Sequence, residues 1–141
     1  MAFKVFLDAN VCLDFLLRRE NYPQTKKIFQ KIFNEDISSF VTPAIVHIMA
    51  FYLAKHYGKK MVKTIILDLL ASVRVVDCTH EIAINAVSSR MTDIEDALQY
   101  YAAMHHKIDY FISLDKNLIK TAIPVLPVYS PEEFLKEFDN D

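Results

Sequence analysis

The sequence predicts an α/β fold, a parallel sheet covered by helices on both faces. Two observations carry this. Short apolar runs alternate along the chain with longer segments whose apolar residues recur at spacings of three and four. The chain is 141 residues long, 52% apolar and 24% charged, which is enough for one well-filled core. A single domain over residues 1–141 is therefore expected.

The candidate strands come first. Phe3–Leu7 and Ile37–Val41 are apolar runs, the second halted by Thr42-Pro43. Residues 73–76 (VRVV) and 110–113 (YFIS) follow. Residues 125–128 (VLPV) are weaker, because Pro127 cannot donate to a ladder and belongs at an edge. Helical spacing fills 11–18, 23–34, Pro43–Tyr57, 60–71, 79–88 and 93–107. Thr42 with Pro43 reads as an N-cap followed by proline at the first helical position. Gly58 stands where a C-cap glycine belongs. Thr92-Asp93-Ile94-Glu95 reads as a capping box with Thr92 capping, and a last helix is expected to begin at Ser130-Pro131-Glu132-Glu133.

Composition removes several classes of function. With one glycine the chain can hold no P-loop, GxGxxG turn or GxSxG elbow. Cys12 and Cys78 build neither a disulfide scaffold nor a CxxC site, and so few cysteines suit a reducing, cytoplasmic setting. The opening MAFKVFLDANVCLDFLL is broken by Lys4, Asp8 and Asp14, so it is not expected to be a signal peptide. The apolar stretch 40–54 contains Pro43 and His47 and is too short for a bilayer, so no membrane role is expected. A net charge of −2 argues against binding nucleic acid through bulk charge. Such binding would need local basic patches, such as Lys55–His56 with Lys59, Lys60 and Lys63, or Lys26, Lys27 and Lys31, or else bound cations.

Topology places the acids. In open parallel sheets ligands bind beyond the carboxyl ends of the strands. Asp8 directly follows the first strand and Asp115 the fourth. The helix over 93–107 leads into the fourth strand, so it must begin at the carboxyl edge, with Asp93, Glu95 and Asp96. His47 lies one turn into the helix after the second strand. Carboxylates about 4 Å apart repel by roughly 4 kcal/mol at an effective dielectric near 20. Such a cluster protonates or takes a cation, and oxygen-only ligands favour Mg²⁺ or Mn²⁺.

The segments FLDANVCLDFLL, TDIEDALQYYAA and DYFISLD, in that order, resemble the PIN domain, the nuclease fold of VapC-type toxins. The resemblance implies a three-layer α/β/α sandwich with sheet order 3-2-1-4-5. It also implies an Mg²⁺- or Mn²⁺-dependent endoribonuclease that leaves 5′-phosphate and 3′-hydroxyl ends. It makes Asp8, Asp96 and Asp115 the catalytic and metal-binding acids, with Asn10 and Ser113 supporting them; Asp93 itself reads either as a helix-dipole residue or as an outer-shell ligand that, like Glu95, could compensate for a missing acid. The resemblance further implies an RNA substrate, a small antitoxin partner and a homodimer. VTPAIVHIMAFYLAKHYG departs from the pattern: His47 occupies the place of a usual helix Glu, which weakens a second metal site.

Plainer readings stand beside these. Asp115 fits the N-cap of a helix through Lys120, Glu95 fits capping, and Asp14 fits an i,i+4 pair with Arg18. His47 fits a partly buried helix histidine. The helically spaced Phe and Tyr residues fit core or a dimer face. Two other functions compete: a degenerate PIN module that binds without cutting, and an aspartyl-phosphate enzyme, whose DxDxV pattern fails at Asn10.

Overall fold

The computed structural model describes residues 3–138. Five strands are present among them: β1 (Phe3–Leu7), β2 (Ile37–Val41), β3 (Val73–Val75), β4 (Tyr110–Ile112) and β5 (Val128–Tyr129). They form one all-parallel sheet in the order β3-β2-β1-β4-β5. The helices are α1 (Ala9–Leu16), α2 (Tyr22–Phe33), α3 (Pro43–Tyr57), α4 (Lys59–Leu70), α5 (His80–Ser88), α6 (Ile94–His105), α7 (Lys116–Thr121) and α8 (Pro131–Phe138). This is the expected α/β/α sandwich and strand order. Helix α1 packs on α2 and α3, α3 on α4, and α2 on α8, while α5 pairs with α6.

The central strands are buried because both faces are covered. Val5, Phe6 and Leu7 are fully buried. Phe6 stacks on Phe111 of the neighbouring strand, and Tyr100 of α6 closes over Phe111. Each such side chain contributes about 1.5–3 kcal/mol of burial free energy. These stiff inner strands make the carboxyl edge a fixed platform.

The boundaries differ from the periodicity in ways that have physical reasons. Pairing of β5 begins at Val128 rather than 125, because Pro127 has no N–H and offers only its carbonyl, to Phe111 N at 2.9 Å. Helix α6 is capped by Asp93 rather than Thr92: its carboxylate accepts from Asp96 N at 3.0 Å. Thr42, Thr79 and Asp115 cap their helices through side-chain oxygens. Ser130 and Glu133 form a reciprocal capping box at the start of α8. Gly58, at φ +83°, ends α3 and starts α4, a left-handed turn that suits glycine.

Asp14 is a clear correction. It makes no pair with exposed Arg18; it is buried, and accepts from Asn21 N at 3.0 Å and from Thr25 Oγ1 at 2.9 Å. A polar tie between α1 and α2 explains it. Of the aromatics expected in the core or on a dimer face, Phe29 and Tyr100 are buried, Tyr101 is half-buried, and Phe33, Phe51 and Tyr52 are exposed.

Candidate active site

Three chain crossings build the carboxyl edge. After β1, Asp8 turns the chain into α1 and caps it, accepting from Ala9 N at 2.9 Å. Its other oxygen accepts from Ser113 Oγ at 2.8 Å. Ser113 follows β4, and its Oγ also accepts from Asp115 N at 3.0 Å. Asp115 caps α7 through Asn117 N at 2.9 Å. Asn10 Oδ1 accepts from Leu114 N at 3.4 Å and so ties the start of α1 to the loop after β4. Asp8, Ser113 and Asp115 thus form one hydrogen-bonded run joining residues 105 positions apart, with the Asn10–Leu114 bond beside it.

Asp96 arrives from α6, in its first turn, where a carboxylate suits the helix dipole. Its carboxyl pKa is pushed up to about 7. Burial is the main cause, followed by the charges of Asp8, Asp93, Asp115 and Glu95. Asp8 is also raised, first by burial, with Glu95 and Asp115 adding to it and the bonds from Ser113 and Ala9 opposing it. The acids of β1, β4 and α6 therefore share one field. Glu95 joins it: it is exposed in the first turn of α6, whose N-cap is Asp93 and not the expected Thr92.

Coupling is not contact. Among the described residues, no group of three or more His, Cys, Asp or Glu side chains stands close enough together to hold a metal ion. The donor set nonetheless has the chemistry of a hard cation site: oxygen only, partly dehydrated and mutually repelling.

His47 is exposed on α3, so a partly buried histidine is not what the structure shows. His80 and His105 are exposed as well, and His106 Nε2 bonds to Asp77 O. Cys12 is buried, and desolvation with the charge of Asp8 pushes its thiol up, which removes it as a nucleophile.

Sequence reasoning read Thr42 only as an N-cap and missed its partner Gln99. Both are buried; the Thr42 hydroxyl donates to Gln99 Oε1, and Gln99 Nε2 has no hydrogen-bond partner. The available signal was the spacing, since Gln99 stands three residues after Asp96 on one helical face.

Comparison with known proteins follows the same lines. A family model described as PIN domain matches residues 4–117. No curated protein matches. Solved structures are similar throughout the chain. The VapBC2 structure from Rickettsia felis, bound to a DNA fragment from its promoter, has a TM-score of 0.69 at 12% identity, covering 91% of this chain and 98% of that one. A toxin–antitoxin complex from Klebsiella pneumoniae has a TM-score of 0.67 at 16% identity, covering 90% and 97%. VapC20 from Mycobacterium tuberculosis, a sarcin-ricin loop cleaving toxin, has a TM-score of 0.68 at 12% identity, covering 84% and 95%.

Proposed function

The chain belongs to the PIN domain family, and from that premise we propose that it is a metal-dependent endoribonuclease, the toxin of a toxin–antitoxin pair. The observation that carries the reading is the hydrogen-bonded run Asp8–Ser113–Asp115 at the carboxyl edge, with the Asp96 carboxyl of α6 raised by burial and by the charges of Asp8, Asp93 and Asp115 beside it. A bound Mg²⁺ or Mn²⁺, held by these three acids, would lower the pKa of water and offset charge developing at phosphorus. The chain's own residues do the rest. Ser113 holds Asp8 in its rotamer and aligns the backbone of Asp115. Asn10 braces the same loop. Asp93 fixes the first turn of α6 that carries Asp96. His47, exposed, supplies no further acid.

The partners follow as proposals. A protein partner is supported by an apolar groove of about 530 Å³ lined by Ala50, Ala54, Val62, Ile66 and Leu67, with Lys59 and Lys63 beside it. The exposed side chains Phe51, Met61, Ile84 and Val87 are compatible with a homodimer or an antitoxin covering them. No described helix is long and apolar enough to cross a membrane, and a cytoplasmic setting fits the two unpaired cysteines.

The test is cleavage of a panel of structured and single-stranded RNAs with Mg²⁺ or Mn²⁺, with EDTA, and with the Asp8→Asn protein. Metal-dependent cuts with 5′-phosphate ends that vanish in Asp8→Asn support the proposal. Equal cutting by Asp8→Asn sinks it. The second reading, a module that binds RNA or protein without cutting, is favoured by one observation: among the described residues no three acids stand close enough together to hold an ion. Calorimetry with Mn²⁺ separates the two. Binding no tighter than millimolar, together with inactivity on every RNA, favours the second.

A further inference from the structure

We propose that Gln99 is a positioning residue: latched to Thr42, it holds the first turn of α6, and with it Asp96, against the carboxyl ends of the inner strands. This rests on the nuclease reading of the acid cluster.

The latch joins distant parts of the chain. Thr42 follows β2 and caps α3, accepting from Ile45 N at 3.4 Å. With that lone pair engaged, its hydroxyl proton goes to Gln99 Oε1. The next residue, Tyr100, fastens α6 on the other side. Its hydroxyl donates to Leu126 O at 2.6 Å and accepts from Ile123 N at 2.9 Å. Consecutive side chains therefore pin α6 between the β2 side of the sheet and the segment leading to β5, one turn beyond Asp96. Side chains three residues apart on a helix are neighbours, so the pin acts on the turn that bears the acid.

Asp96 sits in the first turn of α6, which Asp93 caps through Asp96 N at 3.0 Å, and the Thr42 bond fastens the following turn to the β2 side of the sheet. The carboxamide is a costly anchor for packing alone. Gln99 is 2% exposed and its Nε2 donates to nothing, so it carries a desolvation penalty that a leucine would not. Turning the amide over only transfers the deficit to the oxygen. What the amide adds, and leucine lacks, is a directional bond to Thr42.

The experiment compares Gln99→Leu, Gln99→Met, Thr42→Ser, Thr42→Val and the Gln99→Leu/Thr42→Val double variant. Each is followed by thermal melting, Mn²⁺ titration calorimetry and steady-state RNA cleavage. Gln99→Leu is expected to melt at or above the wild-type temperature. Its Mn²⁺ affinity and kcat should fall roughly 10- to 100-fold, the scale for groups that orient a metal's ligands, with KM for RNA unchanged. Thr42→Ser should keep wild-type values, and the double variant should bind Mn²⁺ no more weakly than either single. Wild-type Mn²⁺ affinity and kcat in both Gln99 variants overturn the proposal. So does a loss that only tracks a lowered melting temperature. Wild-type protein that binds Mn²⁺ but cuts no RNA overturns the nuclease reading alone, and the affinities then decide the latch. Wild-type protein that binds no Mn²⁺ overturns both.

Discussion

Ser113 Oγ donates to Asp8 Oδ2 at 2.8 Å while accepting from Asp115 N at 3.0 Å, so one hydroxyl sets the acid of β1 and the backbone of the acid after β4. Ser113 is fully buried and Asp8 nearly so. Removing the hydroxyl leaves Asp8 short of a donor, and its pKa rises further because that bond lowers it. Ser113→Ala is expected to lose about 1–3 kcal/mol in urea unfolding and roughly 10- to 100-fold in cleavage rate. Ser113→Thr keeps the hydroxyl and should retain most of both. Unchanged cleavage in Ser113→Ala would show that the hydroxyl is only a turn contact.

The pKa of Asp96 makes stability depend on pH in an unusual direction. Its carboxyl moves from an ordinary 3.8 to about 7 on folding. Between those values the folded protein binds more protons than the unfolded chain, so stability falls as pH rises. The loss begins near pH 4 and is complete above about 7. Asp8, raised by burial, has the same sign. Chemical denaturation of metal-free protein across this range should show the decline, and Asp96→Asn should flatten it. Added Mn²⁺ should reverse the slope, because ligands bind the ion deprotonated. A metal-free stability that climbs from pH 4 to 7 would contradict the coupling.

Much of this was readable from the chain because it is local. The strand FKVFL is followed directly by Asp8, which therefore had to lie at a strand end, and alternation with helices made the sheet parallel. Asp96 followed from the direction of its helix. The failures are all tertiary or turn upon a single atom. Asp93 caps α6 because its carboxylate reaches Asp96 N, a job Thr92 could do only one residue earlier. β5 starts late because Pro127 lacks an N–H. Thr42 and Gln99 meet across 57 positions, beyond the reach of any periodicity.

Asp14 shows the same lesson as a stability effect. Spacing paired it with Arg18, whereas folding buries it against Asn21 N and Thr25 Oγ1. Asp14→Ala should therefore cost about 1–3 kcal/mol by stranding two donors. Arg18→Ala, an exposed position, should change stability by less than about 0.5 kcal/mol. Urea unfolding of both variants checks the contrast, and cleavage per folded molecule should be unaltered in each. Equal costs would restore the surface ion pair.

Asp8 should show opposed effects on activity and stability. Burial raises its pKa, so at neutral pH without metal the folded state bears the cost of dehydrating a carboxylate beside Glu95 and Asp115. Asn is nearly isosteric, carries no charge, and its carbonyl can still accept one of the two bonds from Ala9 N and Ser113 Oγ. Asp8→Asn is therefore expected to be more stable than wild type in metal-free neutral buffer. The advantage should shrink as pH falls and the wild-type carboxyl protonates. Saturating Mn²⁺ should reverse the order, because only the wild type gains binding energy. Cleavage should drop by at least roughly 10²-fold, the scale of losing a group that stabilises charge in the transition state. Parallel denaturation curves with EDTA and with Mn²⁺ measure both effects. An Asp8→Asn protein less stable than wild type in EDTA would mean that hydrogen bonding, and not desolvation, governs this carboxylate.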